Sequence, residues 1–178
     1  MAPPNPLERA GIDDAAAAAR AMWREDEEEW TRAAVEQWHH GRTLVDVLRD
    51  HLHRGDTVAV TVGSTTVTGV LEAVGDDVVS VATHDGHAHA RVGADTPVVL
   101  RVVSRAPVGG TRGRPITTFR ARVLEVEADE IEVEVVTIAG DTTRGELRVA
   151  RDHVRVLSAD GETCVSFGAV AWVRVVAP

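Results

Sequence analysis

The sequence predicts a mainly β (α+β) chain: a long N-terminal helix followed by two tandem small β-barrels, each led by a short helix. Three observations lead there. The stretch Gly69–Val81 recurs 76 residues later as Gly145–Leu157, with Gly69/Gly145, Leu71/Leu147, Asp76/Asp152 and Val78/Val154 in register. Apolar residues recur at helical spacing up to Gly41 and mostly alternate with polar ones from Thr57 onward. Val dominates an apolar content of 44%, with no Tyr and only two Phe, which suits small, strongly twisted sheets.

The bulk numbers set the frame. A chain of 178 residues is one large or two small domains. Units of about 75 residues lie near the lower limit for a self-sufficient core, so the two are expected to pack on each other. The net charge of −9 argues against non-specific nucleic-acid binding by the whole surface. All 19 basic residues are Arg, the mark of a high-GC genome. The single cysteine, Cys164, has no disulfide partner and sits among alternating apolar residues, where a small buried side chain is expected. Met1-Ala2-Pro3-Pro4-Asn5-Pro6 lacks the basic start and apolar core of a secretory leader, and Ala15–Ala19 is too short to span a membrane. A soluble cytoplasmic protein without a membrane partner is the expectation.

In chain order, residues 1–12 are Pro-rich and are expected to be a disordered tail. Residues 13–41 read as an acidic amphipathic helix. Asp13 or Asp14 can cap it, Ala19, Trp23, Trp30, Ala34 and Trp38 fall on one stripe, and Glu25–Glu29 wraps most of the other face. Gly41 ends it. The stripe has two readings: its indoles dock on the barrel, or they anchor a partner or a second copy. Residues 42–104 form the first barrel unit. Thr43 caps a helix with Leu44, Val47, Leu48 and Leu52, and five β segments follow, the last from Pro97 to Val103. Residues 105–116 are a Gly/Arg linker. Residues 117–178 repeat the order. Thr117 or Thr118 could cap a helical turn with Phe119, Val123 and Val126, although a strand also fits that segment. The ending Arg174-Val175-Val176 matches Arg101-Val102-Val103 at a slightly shorter offset.

Gly55-Asp56 with Val58 and Val60, then Gly69, Leu71, Val74, Asp77, Val79 and Val81, form a pattern that resembles the Sm-like fold. The second unit is similar to it through Gly145, Leu147, Asp152, Val154 and Val156. The resemblance implies small SH3-like barrels over residues 43–178, with the central Gly letting a strand bend sharply and Leu and Val filling the interior. Sm-like proteins also carry an Asn after the third-strand Asp and an Arg-Gly pair near the last strands. Here Ser80 and Val81 follow Asp77 and no Arg-Gly precedes either final strand, so the resemblance implies no RNA pocket. The run Val149-Ala150-Arg151-Asp152-His153-Val154 is similar to a signature of certain actinobacterial proteins, and that likeness implies no activity.

Three groups of residues could carry chemistry. His84, His87 and His89 surround an Asp-Gly turn and could offer nitrogens to zinc, or simply form a polar hairpin. Arg101, Arg105, Arg112, Arg114, Arg120 and Arg122 place six positive charges and no acid in one segment, which could follow a phosphate backbone or serve as a solvated linker. Trp23, Trp30 and Trp38 form the candidate partner interface. Cys164 and Ser166 lack the neighbours of a catalytic nucleophile, so no catalytic residue, no enzyme and no cofactor are expected. The leading function is a non-enzymatic interaction module, binding a protein partner or itself through the N-terminal helix. The alternative is an RNA-binding protein using the Arg-rich segment.

Overall fold

The computed structural model describes residues 6–93, 95–107, 109 and 117–176. The chain divides into two units, residues 1–43 and 44–178.

The first unit is carried by α1 (Pro6–His40). It starts earlier than the sequence suggested: residues 6–12, expected in the disordered tail, are helical, and residues 1–5 lie outside the described residues. Pro6 is compatible with this start, because a proline in the first turn has no N–H to leave unpaired and its φ is already helical. The helix closes through the Gly41 N–H, which donates to the Gln37 carbonyl at 3.0 Å.

The second unit begins with α2 (Leu44–Arg54). Gly55 follows at φ +73, its N–H donating to the His51 carbonyl at 3.0 Å, the left-handed stop that glycine accommodates most cheaply. Asp56 is fully buried next to it. Its carboxylate meets His51 Nδ1 at 2.8 Å and accepts from Arg54 Nε at 3.0 Å and from the Ala106 N–H at 3.0 Å. The His51 hydrogen bond, helped by the Ala106 N–H and Arg54, holds the carboxyl down to about 2 against the opposing effect of burial. The Gly-Asp pair thus ends α2 and ties down the chain where it leaves β5 (Val98–Ser104).

The other strands are β1 (Thr57–Val62), β2 (Thr65–Val74), β3 (Val78–Thr83), β4 (Gly86–Arg91), β6 (Glu132–Thr137), β7 (Thr142–Val149), β8 (His153–Ser158), β9 (Gly161–Ser166) and β10 (Val170–Val176). The ambiguous segment before β6 is a helix, α3 (Phe119–Ala128). Thr118 caps it, accepting from the Ala121 N–H at 3.1 Å, and the Asp77 carboxylate accepts from the Phe119 N–H. The mainly β, α+β class and the leading helix α2 are therefore as the sequence predicts, and the segment left open between helix and strand is helical.

The sheet differs from the expectation of two barrels. The ten strands found among the described residues form one antiparallel sheet in the order β5-β1-β2-β3-β4-β10-β6-β7-β8-β9. The first five strands do not close on themselves: β4 pairs with β10, from Gly86↔Val176 to Ala90↔Trp172, so the sheet runs on into the second half. The strand order β5-β1-β2-β3-β4 is followed by the same order, β10-β6-β7-β8-β9.

The registers refine the sequence match. Gly69 lies opposite Val58, and Gly145 opposite Val133. Leu71 pairs with Val81 and Leu147 with Val156, yet Val74 pairs with Val79 and Val149 with Val154. A bulge between Leu71 and Ala73 inserts one residue into β2, and β7 has none. The turns confirm the one-residue change. The Val92 N–H donates to the Asp77 carbonyl and the Phe167 N–H to the Asp152 carbonyl. Asp77 and Val79, rather than Asp76 and Val78, thus stand where Asp152 and Val154 do.

Two cores result. Leu48 and Leu52 of α2 pack with Val58, Val60, Leu71, Val79 and Val81; Phe119, Val123 and Val126 of α3 pack with Val133, Val135, Leu147, Val154 and Val156. The halves lend residues to each other. Trp172 of β10 is fully buried in the first core, its Nε1 donating to the Thr65 carbonyl at 3.4 Å, while Val78 of β3 belongs to the second.

Candidate functional site

On α1 the indoles stand in solvent: Trp23 and Trp30 are 78% exposed and Trp38 is 56% exposed. Met22 and Val35 are exposed beside them in sequence. The Trp38 ring packs edge-on to His39, with ring centroids 5.0 Å apart, and the Arg42 guanidinium lies 4.3 Å from its centroid. The remaining Trp of the chain, Trp172, is buried. Solvated indoles carry a large desolvation gain that only a bound surface can realise.

The three histidines do not converge. His84 is exposed in the β3–β4 turn and contacts Asp85. His87 Nδ1 lies 2.8 Å from Glu72 Oε2 on β2. His89 is fully buried, with Nδ1 2.9 Å from Ser80 Oγ. Among the described residues no three His, Cys, Asp or Glu side chains come together as a metal-binding group. A polar recess of about 420 Å³ opens beside the turn, lined by His84, Asp85 and His87 together with Glu134 and Arg174, which pair at 3.2 Å.

His89 has a structural role that its sequence context only hinted at. Arg122 Nε can only donate, and it points at His89 Nδ1 at 3.5 Å. Nδ1 is therefore the acceptor and the ring proton sits on Nε2, which has no partner and no solvent. Burial, with help from the positive charge of Arg122 and from His87, pushes the imidazole down to about 3. Below pH 6.5 the unfolded chain takes up a proton here that the folded chain refuses until about pH 3. This stability is thus complete above pH 6.5 and is lost as pH falls through that window. At about 1.4 kcal/mol per pH unit, the loss from pH 6.5 to 5 is about 2 kcal/mol. Urea titrations should show wild type losing about that much stability relative to His89→Leu between pH 7.5 and 5.0, and an unchanged difference would exclude the orphaned neutral imidazole.

The arginines are dispersed. Arg101 is exposed on β5 and Arg105 just after it, while Arg112 and Arg114 lie outside the described residues. Arg120 on α3 is exposed and donates to the Ala150 carbonyl at 3.4 Å. Arg122 turns inward, pairing with Glu125 at 2.7 Å as well as facing His89. Arg122 is therefore part of the fold rather than of an open cationic strip.

Cys164, expected to be buried, is exposed, because β9 is an edge strand with β8 as its one neighbour. Local desolvation by its neighbours and the Glu162 carboxylate at 3.5 Å raise its thiol pKa, the opposite of an activated nucleophile. Glu162 is itself held by Arg155, whose NH2 lies 2.8 Å away.

No helix among the described residues is long and apolar enough to cross a membrane. No protein-family model, curated protein or solved structure matches the chain.

Proposed function

We propose that the chain is a non-enzymatic interaction module: α1 presents Trp23, Trp30 and Trp38 to a protein surface, and two fused Sm-like five-strand units supply a rigid body. The exposure of all three indoles carries this reading. A stripe of large aromatics left in water, in a chain with one other Trp and two Phe, has the composition of an interface anchor. The Sm-like assignment draws support from the repeated strand order and from Gly69 and Gly145 at matching registers. The acidic face of α1, with Glu25–Glu29, favours a partner with basic residues around an apolar groove.

The test compares the full-length chain with a Trp23→Ala/Trp30→Ala/Trp38→Ala variant of the same circular dichroism. Light scattering detects a second copy, and affinity capture followed by titration of the captured protein detects a different partner. The expected result is association with one of these, weakened at least about tenfold in the variant, as removal of anchor residues does. Equal association by both chains would overturn the reading.

A further inference from the structure

The two halves differ on one face of the sheet. Val58 and Val60 of β1 point into the first core, so Thr57, Ala59 and Thr61 point away from it. Val133 and Val135 of β6 point into the second core, which leaves Glu132 and Glu134 on the outer side. Gly69 opposite Val58 matches Gly145 opposite Val133, so Thr57, Ala59, Thr68 and Val70 stand where Glu132, Glu134, Arg144 and Glu146 stand. In the second half Glu132 pairs with Arg144 at 3.0 Å and Glu134 with Arg174 at 3.2 Å. The first half has none of these acids. Arg101 lies opposite Ala59 as Arg174 lies opposite Glu134, and so keeps its charge without the carboxylate that its counterpart meets. The fold thus accepts a charged outer face. Yet the outer face of β5-β1-β2 exposes Val99, Thr66, Thr68 and Val70 around a single cation.

We propose that this face receives α1 of a second copy of the chain, an assignment that rests on the reading of the Trp stripe as an interface anchor. Trp23, Trp30 and Trp38 of one copy lie on the Val and Thr side chains of the other, and Arg101 meets an acid of the incoming helix. Each copy carries one stripe and one face. Two copies related by a two-fold axis therefore satisfy both stripes and both faces, and the assembly closes as a dimer.

Charge, length and area favour a second copy as the occupant. Asp26 and Glu27 are exposed between Trp23 and Trp30 and flank the stripe on either side at helical spacing. A docked stripe therefore brings a carboxylate to Arg101, as Glu134 is brought to Arg174 in the second half. Trp23 to Trp38 covers about 22 Å of helix, close to the roughly 20 Å of a strand the length of β1. Indoles of about 150–250 Å² each, mostly exposed, give two stripes on the order of 1,000 Å² to bury, and the facing sheets add a similar area. That reaches the size of a stable interface.

The experiment uses the full chain in sedimentation velocity. Wild type should approach twice 19.1 kDa as concentration rises. Thr57→Glu/Thr68→Arg/Val70→Glu gives the face the residues that the second half carries at the same registers, and should stay at 19.1 kDa. Arg101→Glu, a single exposed change, should weaken the dimer at least about tenfold while leaving the circular dichroism unchanged. The decisive step is mixing. The triple face variant and the Trp23→Ala/Trp30→Ala/Trp38→Ala chain, each 19.1 kDa alone, should associate with each other, because one keeps the stripe and the other keeps the face. A wild type of 19.1 kDa at all concentrations, as when α1 lies on its own sheet, overturns the proposal and leaves the stripe to a different protein. So does a dimer lost in the Trp variant but kept in both face variants, or a mixture that does not associate, since the stripe then meets another surface. A dimer kept in the Trp variant overturns both the proposal and the reading it rests on.

Discussion

Gly69→Ala and Gly145→Ala should each cost about 3 kcal/mol or more, at the upper end of the range for overpacking. Neither glycine has a positive φ, so the reason is proximity rather than backbone freedom. A Cβ at residue 69 would sit inside the contact radius of the Ala82 carbonyl oxygen, and one at residue 145 inside that of Leu157. In both cases the obstruction is backbone of the neighbouring strand, β3 or β8, which cannot rotate away as a side chain can. Glycine is the residue that permits so close an approach of neighbouring backbone. The measurement is the urea midpoint of each variant by far-UV circular dichroism. A Gly168→Ala control, with nothing near its added methyl, should leave the midpoint almost unchanged. Losses under about 1 kcal/mol at both sites would mean that the close approach of β2 to β3 and of β7 to β8 is wrong.

Trp172→Ala should cost about 3–5 kcal/mol, the range for deleting a large buried aromatic side chain. The position makes the loss more informative than its size. Trp172 belongs to β10 yet fills the core under α2, so its removal weakens the junction between the halves as well as the core itself. Hydrogen exchange should accordingly show β4 and β10 losing protection together. Trp172→Phe, which keeps much of the packed volume, should lose distinctly less. The same residue provides a signal: it is the buried indole, whereas the three on α1 are exposed, so a blue-shifted emission component should be present in wild type and absent from both variants. Unchanged emission in Trp172→Ala would show that the indole is not in the core.

Much of the β architecture was legible because alternation of Val with polar residues is a local signal. β1, β3, β6 and β8 all lie on runs in which Val recurs at alternate positions. α3 was not legible: Phe119, Val123 and Val126 fit both periods, and the decision came from distant groups, the Asp77 carboxylate and the second core. The joining of the halves was hidden for the same reason. Nothing in Gly86–Arg91 says that its outer edge will meet Val170–Val176, since backbone pairing across a junction leaves little trace in side-chain identity. Trp172 was passed over because it sits in an ordinary strand pattern, and His89 was singled out only as a candidate metal ligand; burial by a second element is what distinguishes both. Cys164 was misjudged because alternation tells which face a residue takes, while exposure also depends on whether the strand is at an edge. The Trp stripe was legible in full, since three indoles at helical spacing need no tertiary context to be noticed.

The extra residue between Leu71 and Ala73 has a consequence for how the chain reaches this sheet. A chain with two similar hairpins contains its own decoys: β2 could seek β8, and β7 could seek β3. β3 and β8 offer the same spacing, Val79 to Val81 and Val154 to Val156, so β2 would bulge out its extra residue against either partner and the insertion does not tell them apart. Discrimination falls to connectivity. Residues 75–77 join β2 to β3 and residues 150–152 join β7 to β8, so each correct hairpin closes a far shorter loop than the crossed pairing and does so at lower entropic cost.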